Sequence, residues 1–144
     1  MGHALKLALY KGKGNWTDKA IRKLTKSEYS HCELVIDNIW YSSSPRDGCV
    51  RAKQIEPQEG NWDYIEITCN PEQQSVVLDT FRANMGSGYD YTGILFSQVL
   101  PIGIQMSFRW FCSEICSQAL MNANLMTRDK RAQWYSPERL RKAL

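Results

Sequence analysis

Short apolar segments follow one another in the first half of the chain, and the first and last of them alternate apolar with polar positions. The segments are Leu5 to Leu9, His31 to Ile36, Ile39 to Tyr41, a short stretch near Val50, and Trp62 to Ile67. A period of two is typical of a half-buried β-strand. Asp37-Asn38 lies between the second and third segments and predicts a tight turn. Because the segments from His31 onward follow one another without a helix between them, the pattern predicts an antiparallel sheet.

Helical spacing dominates the rest of the chain. Asn70-Pro71 predicts a helix start, since asparagine is a good N-cap and proline suits the first helical position. Gln73 completes a capping box, and Val77, Phe81 and Met85 form the predicted buried stripe. Other helices are predicted with Trp16, Ala20, Ile21 and Leu24 on one face, over Tyr91 to Val99, from Cys112 to about Asn122, and from Ser136-Pro137 onward. The sequence therefore predicts one α+β domain over residues 1–144.

Composition narrows the function classes. Hydrophobic residues make up 43% of the 144 positions and the net charge is only +3, which gives no general case for nucleic-acid binding. The apolar segment over residues 93–106 is interrupted by Gln98, Pro101 and Gly103, so no membrane span is expected. Lysines interrupt the N-terminal apolar residues, and no signal peptide is expected. We therefore expect a cytoplasmic location.

The cysteines form an odd set without a C-x-x-C pair. There are five, Cys32, Cys49, Cys69, Cys112 and Cys116, which argues against a disulfide framework and for a reducing compartment. A zinc site is the rival explanation for cysteine and histidine together. Cys32 is expected to face the other side of the strand from His31, so only His31, Cys112 and Cys116 could converge, without the usual paired spacings. The sequence predicts neither a metal nor a cofactor.

Cys112 is the candidate nucleophile. It follows Trp110-Phe111 and precedes Ser113-Glu114, which places it in the first turn of a predicted helix. There, free N–H groups and the helix dipole favour a thiolate, and the same N–H groups can hold an oxyanion. The alternative is a buried cysteine that packs as a small hydrophobe.

His31 is the candidate base, since the other histidine, His3, lies in an unpatterned N-terminus. An imidazole is the natural base for a thiol, although a structural histidine on a strand is the alternative. A third residue should orient the ring. Glu33 shares the strand face of His31, but residues at i and i+2 stand roughly 6–7 Å apart. Ser42 and Ser43 on the next strand are the other candidates.

Several motifs together resemble the circularly permuted branch of the NlpC/P60 superfamily, which includes YiiX-like and lecithin retinol acyltransferase-like proteins. They are Ser-His-x-Glu-Leu-Val-Ile-Asp, a serine-rich turn, Gly-x-Tyr-Asp, Trp-Phe-Cys-Ser-Glu and Tyr-Ser-Pro-Glu-Arg-Leu. The opening Lys-Gly-Lys-Gly-Asn-Trp is also similar to phage-encoded proteins, a resemblance that implies a phage-associated location as the alternative to a cytoplasmic one. The order of His31 before Cys112 matches the permuted branch.

The resemblance implies a permuted papain-like fold in which Cys112 is the nucleophile and His31 the base. Relatives often have histidine or glutamate about twelve positions after the base, where this chain has Ser43. Either Ser43 or Ser42 then orients the imidazole, or Glu33 substitutes. The implied activity is thiol-dependent cleavage or transfer at an amide or ester. Peptidoglycan stem peptides are the usual substrate of the wider superfamily.

Two other functions stay open at this point. One is a catalytically silent phage structural or host-interaction module. The other is a lipid-type acyltransferase, in which Phe108, Trp110 and the apolar segment from Ile94 to Ile104 would form an acyl site.

Overall fold

A seven-stranded sheet organises the described part of the protein. The computed structural model describes residues 3–14, 19, 22–23, 27–44, 47–89, 109–110 and 112–144. The strands are β1 (His3–Tyr10), β2 (His31–Ile36), β3 (Ile39–Ser44), β4 (Cys49–Lys53), β5 (Trp62–Cys69), β6 (Gly88–Tyr89) and β7 (Arg109–Trp110). Their order across the sheet is β5-β1-β2-β3-β4-β6-β7. The helices are α1 (Pro71–Ala83), α2 (Cys112–Asn122) and α3 (Pro137–Ala143), with a 3-10 turn at Ala132–Trp134.

The mixed α and β content agrees with the predicted α+β class. The five longer strands pair antiparallel, as the close succession of strand segments predicts. The two-residue strands β6 and β7 pair in parallel, a feature that the sequence pattern did not predict. Asp37 and Asn38 join β2 to β3 with φ values of 51° and 65°, which is the left-handed geometry that a two-residue hairpin turn requires.

One face of the sheet is the hydrophobic core. The alternation in β1 buries Leu5, Leu7 and Leu9 on this face, and Cys32, Leu34 and Ile36 of β2 extend the same surface. Val77 and Phe81 of α1 and Ile115, Cys116, Ala119 and Leu120 of α2 pack against it. The opposite face carries the side chains of alternate positions, including His31 and Glu33. One face of the sheet is therefore covered by helices, and the other carries polar and aromatic side chains.

Local end signals define the helices. Asn70 accepts a hydrogen bond from the Gln73 backbone N–H, and the Gln73 side chain accepts from the Asn70 N–H, which is the predicted capping box. Ser136 caps α3 in the same way by accepting from the Arg139 N–H. The predicted burial of Met85 is wrong: α1 ends at Ala83, and Met85 is exposed.

Two other predicted helices, the one with Trp16, Ala20, Ile21 and Leu24 on one face and the one over Tyr91 to Val99, lie outside the described residues. Within the described ranges, no helix has the length and apolar character needed to cross a bilayer.

Candidate active site

Cys112 is the first residue of α2 and is completely buried. The start of the helix is anchored by the neighbouring serine, since Ser113 Oγ donates a 2.5 Å hydrogen bond to the carbonyl of Tyr135. Ile115, Cys116 and the other apolar residues of α2 then hold the helix against the sheet. This arrangement places the Cys112 sulfur at the positive end of the helix dipole.

His31 is the first residue of β2 and lies beside the start of α2. Its backbone pairs with Tyr10 of β1, and the residue is only 8% exposed. The ring nitrogen Nε2 lies 2.8 Å from Glu33 Oε2. Nδ1 is buried and has no regular hydrogen-bond partner within the described part of the chain. Because Glu33 takes Nε2, Nδ1 is the ring nitrogen available to Cys112, whose charge raises the pKa of the imidazole.

Glu33 is held by Arg51 from β4. Two guanidinium nitrogens of Arg51 lie 2.5 Å and 2.7 Å from the two carboxylate oxygens of Glu33. The third, Nε, donates to Asp47 at 2.8 Å, and Asp47 also pairs with Lys53 at 2.9 Å. Charges of alternating sign thus extend from the imidazole of His31 through Glu33 and Arg51 toward the surface. Such bidentate, charge-assisted contacts fix both distance and orientation.

The strand register explains how these side chains meet. Leu34 pairs with Tyr41, and continuing that register by one residue places Glu33 opposite Ser42, which itself pairs with Arg51. The three residues therefore form a row on the same face of adjacent strands. On the other side of Glu33 the register partner is Ala8 of β1, whose small, buried side chain leaves room for the ion pair.

The charges of the site shift the ionisation of its members in opposite directions. Burial raises the pKa of Cys112, but the hydrogen bond from Cys32 and the charge on His31 outweigh it and hold that pKa well below its ordinary value. Burial lowers the pKa of His31, but Cys112 and Glu33 raise it to about 10. Burial raises the pKa of Glu33, but Arg51 and His31 lower it to about 2. The favoured state is a thiolate beside an imidazolium and a carboxylate.

Cys32 takes part in the site, although the sequence analysis placed it on the far side of the strand. It does face away from His31, but α2 packs on that face, so its thiol meets the side chains of Cys112 and Cys116. Burial and these two neighbours raise the pKa of Cys32 well above its ordinary value. Cys32 therefore stays a thiol that can donate a hydrogen bond to the Cys112 sulfur.

The candidate orienting residues fall in different places. Glu33 reaches the imidazole directly, so the expected backbone spacing along the strand did not prevent contact. Ser42 Oγ donates to the carbonyl of Cys32 at 2.7 Å. Ser43 is completely buried on β3, and the continued register places it opposite Cys32, on the face away from His31. Cys69 is buried at the end of β5, and Cys49 is partly exposed on β4.

Arg51 is the member of the site that sequence reasoning missed. The signal was present but indirect: the segment Cys49-Val-Arg-Ala-Lys alternates about an apolar Val50, so Arg51 had to face away from the core. Its partner could be found only by aligning three strands, which depends on the length of the loop after Ser44.

Comparisons with known proteins show that this chain shares its fold with a solved structure. No protein-family model matches the chain, and no curated protein matches it. Among solved structures, it is similar to the crystal structure of metalloprotein YiiX from Escherichia coli O157:H7, with a TM-score of 0.59 and 22% sequence identity. The match covers 84% of this chain and 66% of that one. The protein therefore has a YiiX-like fold.

The similar structure is described as a metalloprotein. The side chains of this chain can be compared with the donor set that a metal ion requires. Within the described ranges, no three His, Cys, Asp or Glu side chains are grouped as a metal ion would require. His31 Nε2 is directed at Glu33, and both Glu33 oxygens are directed at Arg51. The described residues do not fit a metal centre.

Proposed function

We propose that the protein is a cysteine hydrolase that cleaves an amide or ester bond with Cys112 as nucleophile and His31 as acid and base. The observation that carries the proposal is the buried array of sulfur, imidazole, carboxylate and guanidinium described above. A low thiol pKa next to a raised imidazole pKa is the charge distribution that a thiolate nucleophile needs. A network of ion pairs that served only to stabilise the fold would not need a thiol at one end.

The reaction begins with attack of the Cys112 thiolate on the carbonyl carbon of the substrate. Backbone N–H groups at the start of α2 stabilise the oxyanion that forms. The imidazolium of His31 gives its proton to the leaving amine or alcohol, and a thioester remains on Cys112. His31 then takes a proton from water, the hydroxide attacks the thioester, and the carboxylic acid product leaves as the thiolate returns.

Glu33 orients the ring in this scheme. Its carboxylate accepts from Nε2–H and directs Nδ1 toward the sulfur, as the third member of a triad does. The resemblance to the permuted NlpC/P60 branch supports a papain-like arrangement and makes a peptidoglycan stem peptide the first substrate to try.

Alkylation by iodoacetamide at about pH 6 tests the activated thiol without a known substrate. Mass spectrometry of the wild-type protein should show Cys112 modified before Cys49, although Cys49 is more exposed and Cys112 is buried. His31→Ala should suppress the labelling of Cys112 and leave that of Cys49 unchanged. Equal labelling of the two cysteines in the wild type would contradict an activated Cys112.

A muropeptide mixture then tests the substrate. Wild-type protein should release products that Cys112→Ala does not, as measured by mass spectrometry. If Cys112 is reactive but no muropeptide is cleaved, the substrate proposal fails and the thiol proposal stands. If Cys112 is also inert, a catalytically silent module is the better description.

A further inference from the structure

Arg51 holds Glu33 more firmly than an orienting carboxylate requires. It binds both carboxylate oxygens, and its own Nε is fixed by Asp47. The side chains of Glu33 and Arg51 are 2% and 13% exposed, so water contributes little to solvating either charge. The guanidinium is therefore the main group that keeps the Glu33 carboxyl ionised.

The ionisation of Glu33 decides which imidazole nitrogen carries the proton when the ring is neutral. An ionised carboxyl can only accept, so it holds the hydrogen on Nε2 and leaves Nδ1 with a lone pair. A neutral carboxyl can donate its own proton to Nε2, which puts the ring hydrogen on Nδ1. In that second tautomer, Nδ1 faces the sulfur with a hydrogen already in place and cannot accept a proton.

We infer that Arg51 is a positioning residue that selects the productive imidazole tautomer by keeping Glu33 ionised. It touches neither Cys112 nor the reacting atoms, and it acts through Glu33 alone. The inference rests on the proposed roles of Cys112 and His31, but its effect is a property of the imidazole that can be measured without turnover.

The other ionisable groups around the array do not replace Arg51. Asp47 contacts Arg51 and Lys53, and the thiol of Cys32 lies on the opposite face of β2 with Cys112 and Cys116. Glu114 is buried in the first turn of α2. Other ionisable residues on the neighbouring strands are Lys6 and Tyr10 on β1, Tyr41 on β3, Cys49 on β4, and Asp63, Tyr64, Glu66 and Cys69 on β5. Asp63 is bound by Lys11 and Tyr29.

The sign of the expected change follows from these contacts. In Arg51→Met, the buried Glu33 loses its cation, so its pKa rises and the carboxyl takes a proton. His31 then loses a negative neighbour and its pKa falls, and the pKa of Cys112 rises because its cationic partner is weaker. The thiolate forms at higher pH, and alkylation of Cys112 at about pH 6 should slow ~tenfold or more for each unit by which the thiol pKa rises.

The test is ¹⁵N spectroscopy of histidine-labelled protein in a His3→Gln background, where His31 is the single histidine. As the pH is raised until the His31 ring loses its charge, the protein with Arg51 intact should keep the hydrogen on Nε2. Arg51→Met should show it on Nδ1. Arg51→Lys, which keeps a cation but not the bidentate contact, should restore the Nε2–H tautomer and part of the alkylation rate.

Lys53→Met is the matched control, because Lys53 pairs with Asp47 but not with Glu33. It should leave both the ¹⁵N shifts and the pH dependence of alkylation unchanged. If Arg51→Met does not fold, as judged by circular dichroism, the alkylation rate of Cys112 decides the point. It should be lower in Arg51→Lys than in Lys53→Met. A folded Arg51→Met with the wild-type tautomer and alkylation profile would overturn the inference. A changed tautomer in Arg51→Met, together with a wild-type Cys112 that is alkylated no faster than Cys49, would uphold the inference and reject the activated thiol.

Discussion

Two residues apart on one strand, His31 and Glu33 make a direct 2.8 Å contact. One residue, Cys32, lies between them. The carboxyl group at the end of the long Glu33 side chain can still lean along the strand and reach the ring. The wall on the other side is aromatic, since the Trp62 ring meets that of His31 edge-on with centroids 6.5 Å apart. The imidazole is thus fixed by one polar and one apolar neighbour.

Substitution of Glu33 and substitution of Ser43 should have unequal effects. Glu33→Gln removes the charge that stabilises the imidazolium, so alkylation of Cys112 at about pH 6 and any hydrolysis should fall by about 10²-fold. Ser43→Ala should change either rate by less than about threefold, because Ser43 is placed opposite Cys32 rather than Glu33. Rates measured against pH for the two variants check this. A larger loss in Ser43→Ala would reverse the assignment.

Residue type was enough to identify His31 and Cys112 as candidates, but not to identify the residues that contact them. His31 and Cys112 could be proposed because few residues serve as base and nucleophile, and each had a recognisable local context. Arg51 and Cys32 could not, because their roles depend on strand register and on which face of the sheet α2 covers. Those are tertiary facts that the spacing of a single segment does not contain.

At the scale of elements, helix ends follow local rules. The capping box of α1 satisfies two backbone N–H groups with two side chains of the same segment. Because the rule needs only neighbouring residues, the start of α1 and of α3 could be predicted from sequence. The end of α1 could not, since the helix stops at Ala83 with Asn84 as its C-cap, two residues before Met85.

Loss of the α1 cap should weaken the fold without touching the site. Asn70→Ala removes the acceptor for the Gln73 N–H and should lower the free energy of unfolding by about 1 kcal/mol. Ser75→Ala, at an exposed position of the same helix, is the control and should stay within about 0.5 kcal/mol of wild type. Urea denaturation measures both. Slower Cys112 alkylation in folded Asn70→Ala would show that the cap and the site are coupled.

Sheet pairing was predictable only in part. Alternating segments and the Asp37-Asn38 turn indicate the antiparallel strands, because hairpins are local. The parallel contact of β6 with β7 joins Gly88 to Arg109 and Tyr89 to Trp110. Strands of two residues leave no periodic pattern, and a pairing across that sequence separation has no local signal.

Over the whole molecule, the buried ion pairs make stability depend on pH. The pKa of Glu33 is lowered from 4.5 to about 2, so its contribution is fully present above about pH 4.5 and is lost as the pH falls toward 2. For this buried carboxyl the loss amounts to roughly 3 kcal/mol. Asp47, whose pKa is also lowered to about 2, adds a smaller loss in the same range because it is partly exposed.

Denaturation midpoints measured between about pH 5 and pH 2 should therefore fall steeply for the wild type. Glu33→Gln should be less stable at about pH 5, since it leaves Arg51 without its buried partner, and its acid dependence should be flatter. Glu66→Gln removes an exposed carboxyl of β5 and should keep the wild-type slope. An unchanged slope in Glu33→Gln would mean that other carboxyls govern the acid limb.

The imidazole and the sulfur stand 81 positions apart in the sequence. The imidazole belongs to the first residue of β2, and the sulfur belongs to the first residue of α2. Until α2 docks on the sheet, the Cys112 thiol lacks the neighbouring imidazolium that lowers its pKa in the folded protein. Brief exposure to an alkylating agent in mild acid would then mark finished molecules and spare immature ones. With Cys112 in its proposed role, this labelling would measure the yield of correctly assembled protein during synthesis.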